Sequence, residues 1–342
     1  MRLLHHSDLV ALAAKVRLAA EPEKRGQMAK PRKIVFAYRR GQAQMGGKIM
    51  RVDQLSQIAA QFLPADAYSV STVFVPRERH LRQTRELISA CADAVVIFHK
   101  SAASNMSAEG RHALRKVAAG ICVDHLDIVV GPLETGFFDV HIAASRKAEA
   151  ELVQNMSALA PVPGTQVRHL RHHADPSLGG QTCSRLRSLK PGYFGLPGNL
   201  DDPSVLPSET IIPDYEPTNL RGFLDALPRA NFHFCVRTPF AKEGLEILPA
   251  KPFTKGFNAA AVRANVLVNR QVHDAAHYLG EDYPFMIADS TATDIHQGFA
   301  RAKEAFGTSE WTLGLDRMAD MAARVAPREV ALELKQIVDL FR

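Results

Sequence analysis

The chain has 342 residues, a length that suits two domains of about 150 residues each. Hydrophobic residues make up 46% and charged residues 23%, as in an ordinary globular protein. No apolar run approaches the ~18 residues that span a bilayer. The net charge of +6 is spread along the chain, which suits an anionic small ligand or an anionic membrane surface. A nucleic-acid partner is not indicated, because no binding signature is present and aromatic residues are only 7%.

The cysteines indicate a reduced, cytoplasmic protein. There are four, none in a C-x-x-C pair, and three lie in or beside apolar runs. They are Cys91, Cys122, Cys183 and Cys235. We expect no signal peptide, because Lys15 and Arg17 interrupt the first apolar stretch.

Residues 1–31 form an N-terminal extension that we expect to be separate from the rest and partly disordered. Residues 9–20 can form a short amphipathic helix, and a dense run of charge follows. The functional alternative for this helix is a peripheral contact with the inner face of a membrane.

From residue 33 onward, short apolar runs alternate with segments of helical periodicity. Strands are predicted at 34–38, 68–75, 94–98, 120–123 and 140–143. Helices are predicted at 48–62, 79–91, 107–119 and 145–156. This alternation is typical of right-handed βαβ units and a parallel sheet covered on both faces.

A polar segment between about residues 161 and 190 interrupts this rhythm, and a second series follows. Strands are predicted at 192–195 and 231–236, and helices at 218–227 and 274–278. The tail, residues 313–341, is helical by periodicity and divided by Pro327. The predicted fold class is therefore α/β with two Rossmann-like domains, at 32–175 and 190–312, followed by C-terminal helices at 313–342.

Ligands of open parallel sheets bind beyond the carboxyl ends of the strands, so the strand assignment gives a list of candidate site residues. In the first half these are Arg39, Arg40, Gly46, Gly47, His99, Lys100, Asp124, His125 and Asp127. In the second half they are Gly195, Gly198, Asn199 and Arg237. Two alternatives stay open: the glycine pair forms only a tight turn, and the aspartates cap the next loop.

The stretch from residue 251 to 270 reads as a polar loop, an alanine-rich helix and a short apolar strand. Thr254 is the predicted N-cap, and Lys251 and Lys255 flank the helix start. Backbone N–H groups at a helix N-terminus favour an anion, and two lysines strengthen that preference. The predicted guest is a phosphate-bearing ligand, and the alternative is a solvated lysine pair on the surface.

Several familiar sites are disfavoured. The chain lacks G-x-G-x-x-G, G-x-x-x-x-G-K-[ST] and G-x-S-x-G patterns, which argues against dinucleotide binding, P-loop chemistry and a serine hydrolase. The segment with His169, His172, His173 and Asp175 matches no strong zinc template. We therefore expect no metal and no cofactor.

The order of motifs resembles the GT-B glycosyltransferases, in particular the retaining "group 1" sugar-nucleotide transferases. The matching pieces spread over most of residues 33–310. They are the Gly46-Gly47 loop, VVIFH at 95–99, VDHLD at 123–127, DVHIAAS at 139–145, HHAD at 172–175, PGYFG at 191–195 and KPFTKGFNAAA at 251–261.

This resemblance implies two domains facing a central cleft, a C-terminal helix crossing back, and a nucleotide-diphosphate sugar as substrate rather than a cofactor. It implies that Gly46, Gly47, Gly195, Asn199 and Asn258 lie in the donor site. Arg237, Lys251, Thr254 and Lys255 would hold the diphosphate without a metal. His99 would contact the donor sugar or support the acceptor side, and Asp124 or Asp127 would be the base or an acceptor contact.

The implied acceptor is a hydroxyl of a glycan or lipid-linked molecule, in polysaccharide or glycoconjugate synthesis in the cytoplasm. One feature departs from the family: its pair of glutamates spaced eight apart is missing, and Glu243 and Glu246 have the wrong spacing. The alternative function is therefore a non-catalytic protein that binds a sugar nucleotide or phosphate on the same fold. A Rossmann-type oxidoreductase or epimerase is a further rival, which the absent G-x-G-x-x-G and Tyr-x-x-x-Lys patterns disfavour.

Overall fold

A computed structural model describes residues 30–127, 133–158, 164–200, 202–214, 220–242, 245–247 and 249–341. Its strands are β1 (Arg32–Arg39), β2 (Tyr68–Val75), β3 (Ala94–His99), β4 (Gly120–His125), β5 (Val140–Ala143), β6 (Gln166–His169), β7 (Pro191–Gly192), β8 (Phe232–Phe234), β9 (Phe240–Lys242), β10 (Leu245–Ile247), β11 (Asn265–Asn269) and β12 (Met286–Ile287). The prediction for the N-terminal extension lies almost entirely outside the described residues.

The strands form two separate parallel sheets and one antiparallel hairpin. The first sheet has the order β2-β1-β3-β4-β5-β6, and the second has the order β12-β11-β8-β7. The hairpin pairs β9 with β10. The predicted α/β class with two parallel sheets is therefore confirmed, and we keep 32–175 and 190–312 as the proposed domain limits.

Helices cover the sheets. The first, α1, begins as an α-helix over Gly46–Lys48, widens to a π-helix over Ile49–Gln54 and continues as an α-helix over Leu55–Phe62. The others are α2 (Leu81–Ala90), α3 (Ala108–Val117), α4 (Arg146–Ser157), α5 (Leu220–Ala226), α6 (Thr254–Ala261), α7 (Ala275–Leu279), α8 (Ala292–Ala305), α9 (Ser309–Arg324) and α10 (Pro327–Val338). No helix in these described ranges is long and apolar enough to cross a membrane.

The first sheet forms where the sequence is continuously apolar. β3 is buried along its whole length, as expected for a central strand with helices on both faces. β1 lies between β2 and β3 and is extended at both ends by polar residues that join the ladder. Continuous burial explains why these strands are visible in the sequence.

Several elements were not predicted. β6 lies in the segment that the sequence assigns to the approach to a linker. It was missed because it is short and only partly buried. The predicted strand at 192–195 is reduced to Pro191–Gly192, since Tyr193 to Gly195 leave the sheet. The β9–β10 hairpin, β12 and α8 were also missed.

The C-terminal helix crosses back to the first sheet, as predicted. Val330, Leu334 and Ile337 of α10 pack in one core cluster with Ile34 and Phe36 of β1. By contrast, α9 packs in the core of the second sheet. Pro327 begins α10 and separates the two helices, so the chain changes sheets at that residue.

A matched pair of leucines on α10 tests this crossing. Leu334 is 0% exposed and Leu332 is 40% exposed. We expect Leu334→Ala to lower the free energy of unfolding by about 2–5 kcal/mol, because it leaves a cavity in the first core. Leu332→Ala should change it by less than about 0.5 kcal/mol, as a surface substitution does. Urea unfolding measures both, and equal effects would show that α10 does not dock.

Candidate functional site

The candidate site lies at the carboxyl edges of the two sheets. All strands within each sheet are parallel, so the residues that follow them gather at one edge. The two edges are electrostatically linked, because Asp127 after β4 raises the pKa of Arg237 after β8 against the lowering effect of burial. Asp127 and Arg237 therefore lie within electrostatic range of each other.

Lys100 and Asp127 follow neighbouring strands and form an ion pair. Lys100 Nζ lies 3.4 Å from Asp127 Oδ2. Both residues have left-handed backbone, with φ of 51° and 56°. Such conformations are unfavourable for residues with side chains and concentrate at functional sites. Of this pair, Asp127 is the residue that acts on the pKa of Arg237.

His99 is buried against the glycine pair that opens α1. It is only 2% exposed, and burial lowers its pKa to about 4, so the imidazole is neutral at pH 7. A Cβ on Gly47 would lie 3.6 Å from the ring and 2.9 Å from Leu126. Gly47 thus permits the close approach of α1 to His99. The Nδ1 atom of His99 is buried and has no partner among the described residues.

Asp124 lies in a fully buried ion pair. Arg51 Nε donates to Asp124 Oδ2 at 2.7 Å, and both side chains are almost inaccessible. Arg51 also donates to the backbone carbonyl oxygens of Leu170 and Arg171. The Asp124 carboxylate is therefore engaged, which favours a positioning role over the role of a base. Asp127 is the candidate carboxylate that stays exposed.

Lys255 lies in the first turn of α6 and packs on the end of the second sheet. Its Nζ is 4.6 Å from the centroid of the Tyr193 ring. A Cβ on Gly195 would lie 3.0 Å from Lys255 Cε and 2.6 Å from the Tyr193 hydroxyl oxygen. Gly195 thus leaves room for Lys255. Burial, together with the neighbouring cations Arg237 and Lys251, lowers the pKa of Lys255 to about 8.

Arg237 is held rigidly beside this lysine. Its backbone N–H donates to Asn269 Oδ1 at 2.9 Å, and its guanidinium donates to the Pro249 carbonyl oxygen at 3.1 Å. The other terminal nitrogen, NH1, is buried without a partner in the described part of the chain. Burial lowers the pKa of Arg237, so this side chain is a desolvated cation with one donor group free.

The start of α6 differs from the prediction. Phe253 is the N-cap and makes no side-chain cap hydrogen bond, and Thr254 is the first helical residue. The Phe253 ring is buried in the second core, over Gly256, and fixes where the helix begins. The prediction that Thr254 caps the helix is therefore wrong. Lys251 precedes the helix and is half-buried.

Asn258 and Asn199 are two further residues predicted for the donor site. Asn258 Oδ1 accepts from the backbone N–H of Asp175 at 2.9 Å. Asp175 in turn accepts from Gln54 Nε2 of α1 at 2.7 Å, so Asn258 contributes to the junction between the two halves. Asn199 is exposed in a short 3₁₀ helix after β7.

Sequence reasoning missed two polar features. Asp274, in left-handed conformation, accepts from the Arg146 N–H at the start of α4 at 2.9 and 3.1 Å, which ties the two halves together. Half-buried His125 stacks on buried His141, with ring nitrogens 2.8 Å apart. No residue spacing signals either contact. Among the described residues no group of three His, Cys, Asp or Glu side chains could hold a metal ion.

Comparisons with known proteins bear on the fold. No protein-family model matches the sequence, and no curated protein matches it. Solved structures do match. A glycosyltransferase from Rickettsia africae ESF-5 gives a TM-score of 0.63 at 8% identity, over 91% of this chain and 98% of that chain. Sucrose-phosphate synthase from Thermosynechococcus elongatus gives a TM-score of 0.58 at 11% identity, over 90% of this chain and 98% of that chain. Anabaena Alr3699/HepE in complex with UDP and glucose gives a TM-score of 0.55 at 11% identity, over 90% of this chain and 99% of that chain.

These matches span almost the whole of both chains, so they define the class of architecture. The protein has the GT-B fold, with two Rossmann-like units facing a cleft, as the resemblance implied. At sequence identities of 8 to 11%, these matches show the fold of the chain but do not show its activity.

The buried histidines predict a pH dependence of stability. Burial lowers the pKa values of His99, His125, His141 and His233 to about 4, against 6.5 for an ordinary histidine. Between these values the unfolded chain binds more protons than the folded one, so stability falls as the pH falls from about 6.5 to 4. We expect the urea midpoint to be clearly lower at pH 5 than at pH 7. Equal midpoints would contradict the neutral, buried state of these rings.

Proposed function

We propose that the protein is a glycosyltransferase that moves a sugar from a nucleotide-diphosphate donor to a hydroxyl acceptor. The observation that carries this proposal is the cluster of Arg237, Lys251 and Lys255 at the start of α6, on the carboxyl edge of the second sheet of a GT-B fold. HepE, which shares this fold, has been solved with UDP and with UDP-glucose. A UDP-sugar is therefore a reasonable first donor to test.

The electrostatics of this cluster suit a diphosphate. Two other cations, Arg237 and Lys251, lie close enough to lower the pKa of Lys255, and Arg237 NH1 is buried without a partner among the described residues. A diphosphate would supply the missing acceptor and neutralise the mutual repulsion. The N–H groups at the start of α6 add to the same field. We propose that these groups hold the donor diphosphate without a metal.

The same charges would assist the reaction. As the bond between the anomeric carbon and the diphosphate breaks, negative charge grows on the leaving phosphate oxygen, and fixed cations stabilise it. The acceptor oxygen forms the new bond to the anomeric carbon and loses its proton. We propose Asp127 as the carboxylate that orients the acceptor or takes this proton, with Lys100 holding it. The neutral His99 would contact a sugar hydroxyl.

The glutamate pair that the family uses is missing, and this favours a second candidate function. Glu243 and the side chain of Glu246 lie outside the described residues. On α6, the side chain of Asn258 accepts a hydrogen bond from the backbone of Asp175. The second candidate is a non-catalytic protein that binds a sugar nucleotide or a phosphate. Release of free nucleotide from a labelled sugar nucleotide separates the two, because only a transferase breaks the sugar–phosphate bond.

The wider role is also a proposal. We propose polysaccharide or glycoconjugate synthesis in the cytoplasm, with a glycan or lipid-linked acceptor and a peripheral contact with the inner face of the membrane. The net charge of +6 supports an anionic partner of this kind.

Lys255→Ala tests the diphosphate assignment. We expect it to weaken binding of UDP and of UDP-glucose about 10- to 150-fold, since a charge-assisted contact is worth ~1.5–3 kcal/mol. Lys251→Ala should weaken binding less, because Lys251 precedes the helix. Calorimetric titration with both ligands is the measurement. Equal losses for the two ligands would place the lysine on the diphosphate and not on the sugar.

The matched control is Lys303→Ala, which removes an exposed lysine from α8 in the same half of the chain. It should bind both ligands like the parent protein. If Lys255→Ala also binds like the parent, the phosphate assignment is wrong.

A further inference from the structure

A second basic site lies in the first half of the molecule, at the carboxyl ends of β1 and β2. A cavity of about 560 Å³ opens there, which we call the basic groove. Its charged lining consists of Arg39, Arg40, Arg77, Arg79 and His80. No acidic residue among the described ones lines it. The groove is therefore lined by positive charge and is separate from the Lys255 cluster.

The arginines of the groove are not balanced by the protein itself. Several other arginines are paired with carboxylates, as in Arg51 with Asp124 and Arg171 with Glu333. None of the four groove arginines forms an ion pair with an acidic side chain in the described part of the chain. Arg40 lies 5.0 Å from the centroid of the Phe74 ring, which orients its guanidinium without neutralising it.

The sheet order places the groove beside the proposed reaction site. β1 is the immediate neighbour of β3, which ends at His99, and β2 lies one strand further out. Parallel strands lie about 4.8 Å apart, so the groove is one to two strands, or roughly 5–10 Å, from the His99 strand end. It belongs to the half of the molecule opposite the donor cations, where the acceptor would bind.

Unpaired arginines in a cavity are the side chains best suited to a phosphate, because the guanidinium fork matches phosphate oxygens in two hydrogen bonds. We infer that the basic groove binds a phosphate group of the acceptor, an inference that rests on the proposed transferase function. Exposed apolar side chains accompany these arginines: Met45 lines the groove and is 58% exposed, and Leu81, which follows His80 in the chain, is 66% exposed. A sugar phosphate and the headgroup of an anionic lipid both present the required chemistry.

The test compares the double variant Arg77→Ser/Arg79→Ser with Arg85→Ser. Arg85 is an exposed arginine of α2 that does not line the groove. The four probes are glucose 6-phosphate, its uncharged match glucose, phosphatidylglycerol vesicles and phosphatidylcholine vesicles. Titration calorimetry measures the sugars and cosedimentation measures the vesicles, both at physiological salt. Equal thermal midpoints of the three proteins confirm that each variant is folded.

We expect a phosphate probe to bind and its uncharged or zwitterionic match not to bind. The double variant should weaken that binding about tenfold or more, and Arg85→Ser should leave it unchanged. Binding of glucose 6-phosphate identifies a sugar phosphate, and binding of phosphatidylglycerol alone identifies a lipid headgroup. Two results would overturn the inference: no binding of either phosphate probe, or a loss as large in Arg85→Ser as in the double variant.

This experiment can fail independently of the transferase proposal. The double variant should still bind UDP like the parent, because its arginines follow the first sheet and Lys255 lies at the second. Conversely, Lys255→Ala should still bind the phosphate probe. If the protein binds UDP but neither phosphate probe, the proposed function stands and the inference about the basic groove is wrong. If the protein binds a phosphate probe through these arginines but does not bind UDP, the groove binds phosphate and the proposed function is not supported.

Discussion

The buried ion pair of Arg51 and Asp124 is the contact on which the rest of the site depends. It joins α1 to the end of β4, and Arg51 also binds two backbone carbonyl oxygens just after β6. Removing one partner of a buried pair leaves the other charge buried and unpaired, which strongly destabilises the fold. The pair therefore fixes the position of the glycine turn against His99, of Asp127 after β4, and of the segment that leads to the second sheet.

The π-helical turn in α1 makes this arrangement possible. Over Ile49–Gln54 the helix is wider than an α-helix, and Arg51, Val52 and Gln54 are all buried. Such turns are rare and are found mostly at functional positions. Gln54 binds Asp175, which binds Asn258 of α6. One short segment thus connects the first-sheet edge to the helix that carries Lys255, and charges on both sides of the cleft are held in register.

The sequence predicts the parts of the fold that are locally encoded. Central strands such as β3 are continuously apolar, and parallel strands place their following residues at one edge, so His99, Asp127 and Arg237 could be proposed before the structure. Lys255 followed from the helix start. Arg51 could not be predicted, because its burial depends on the π-helical turn and on a partner 73 residues away. β6 and Asp274 were missed for the same reason, since only tertiary contacts define them.

The central claim is that the two edges together bind a sugar nucleotide and break its sugar–phosphate bond. Release of free nucleoside diphosphate from a panel of UDP-, GDP- and ADP-glucose, measured by chromatography against a protein-free control, tests it most directly. The account predicts release from one donor of the panel above the control, even without an added acceptor, because water can replace the acceptor hydroxyl. No release from any donor, with or without a sugar phosphate acceptor, would contradict it.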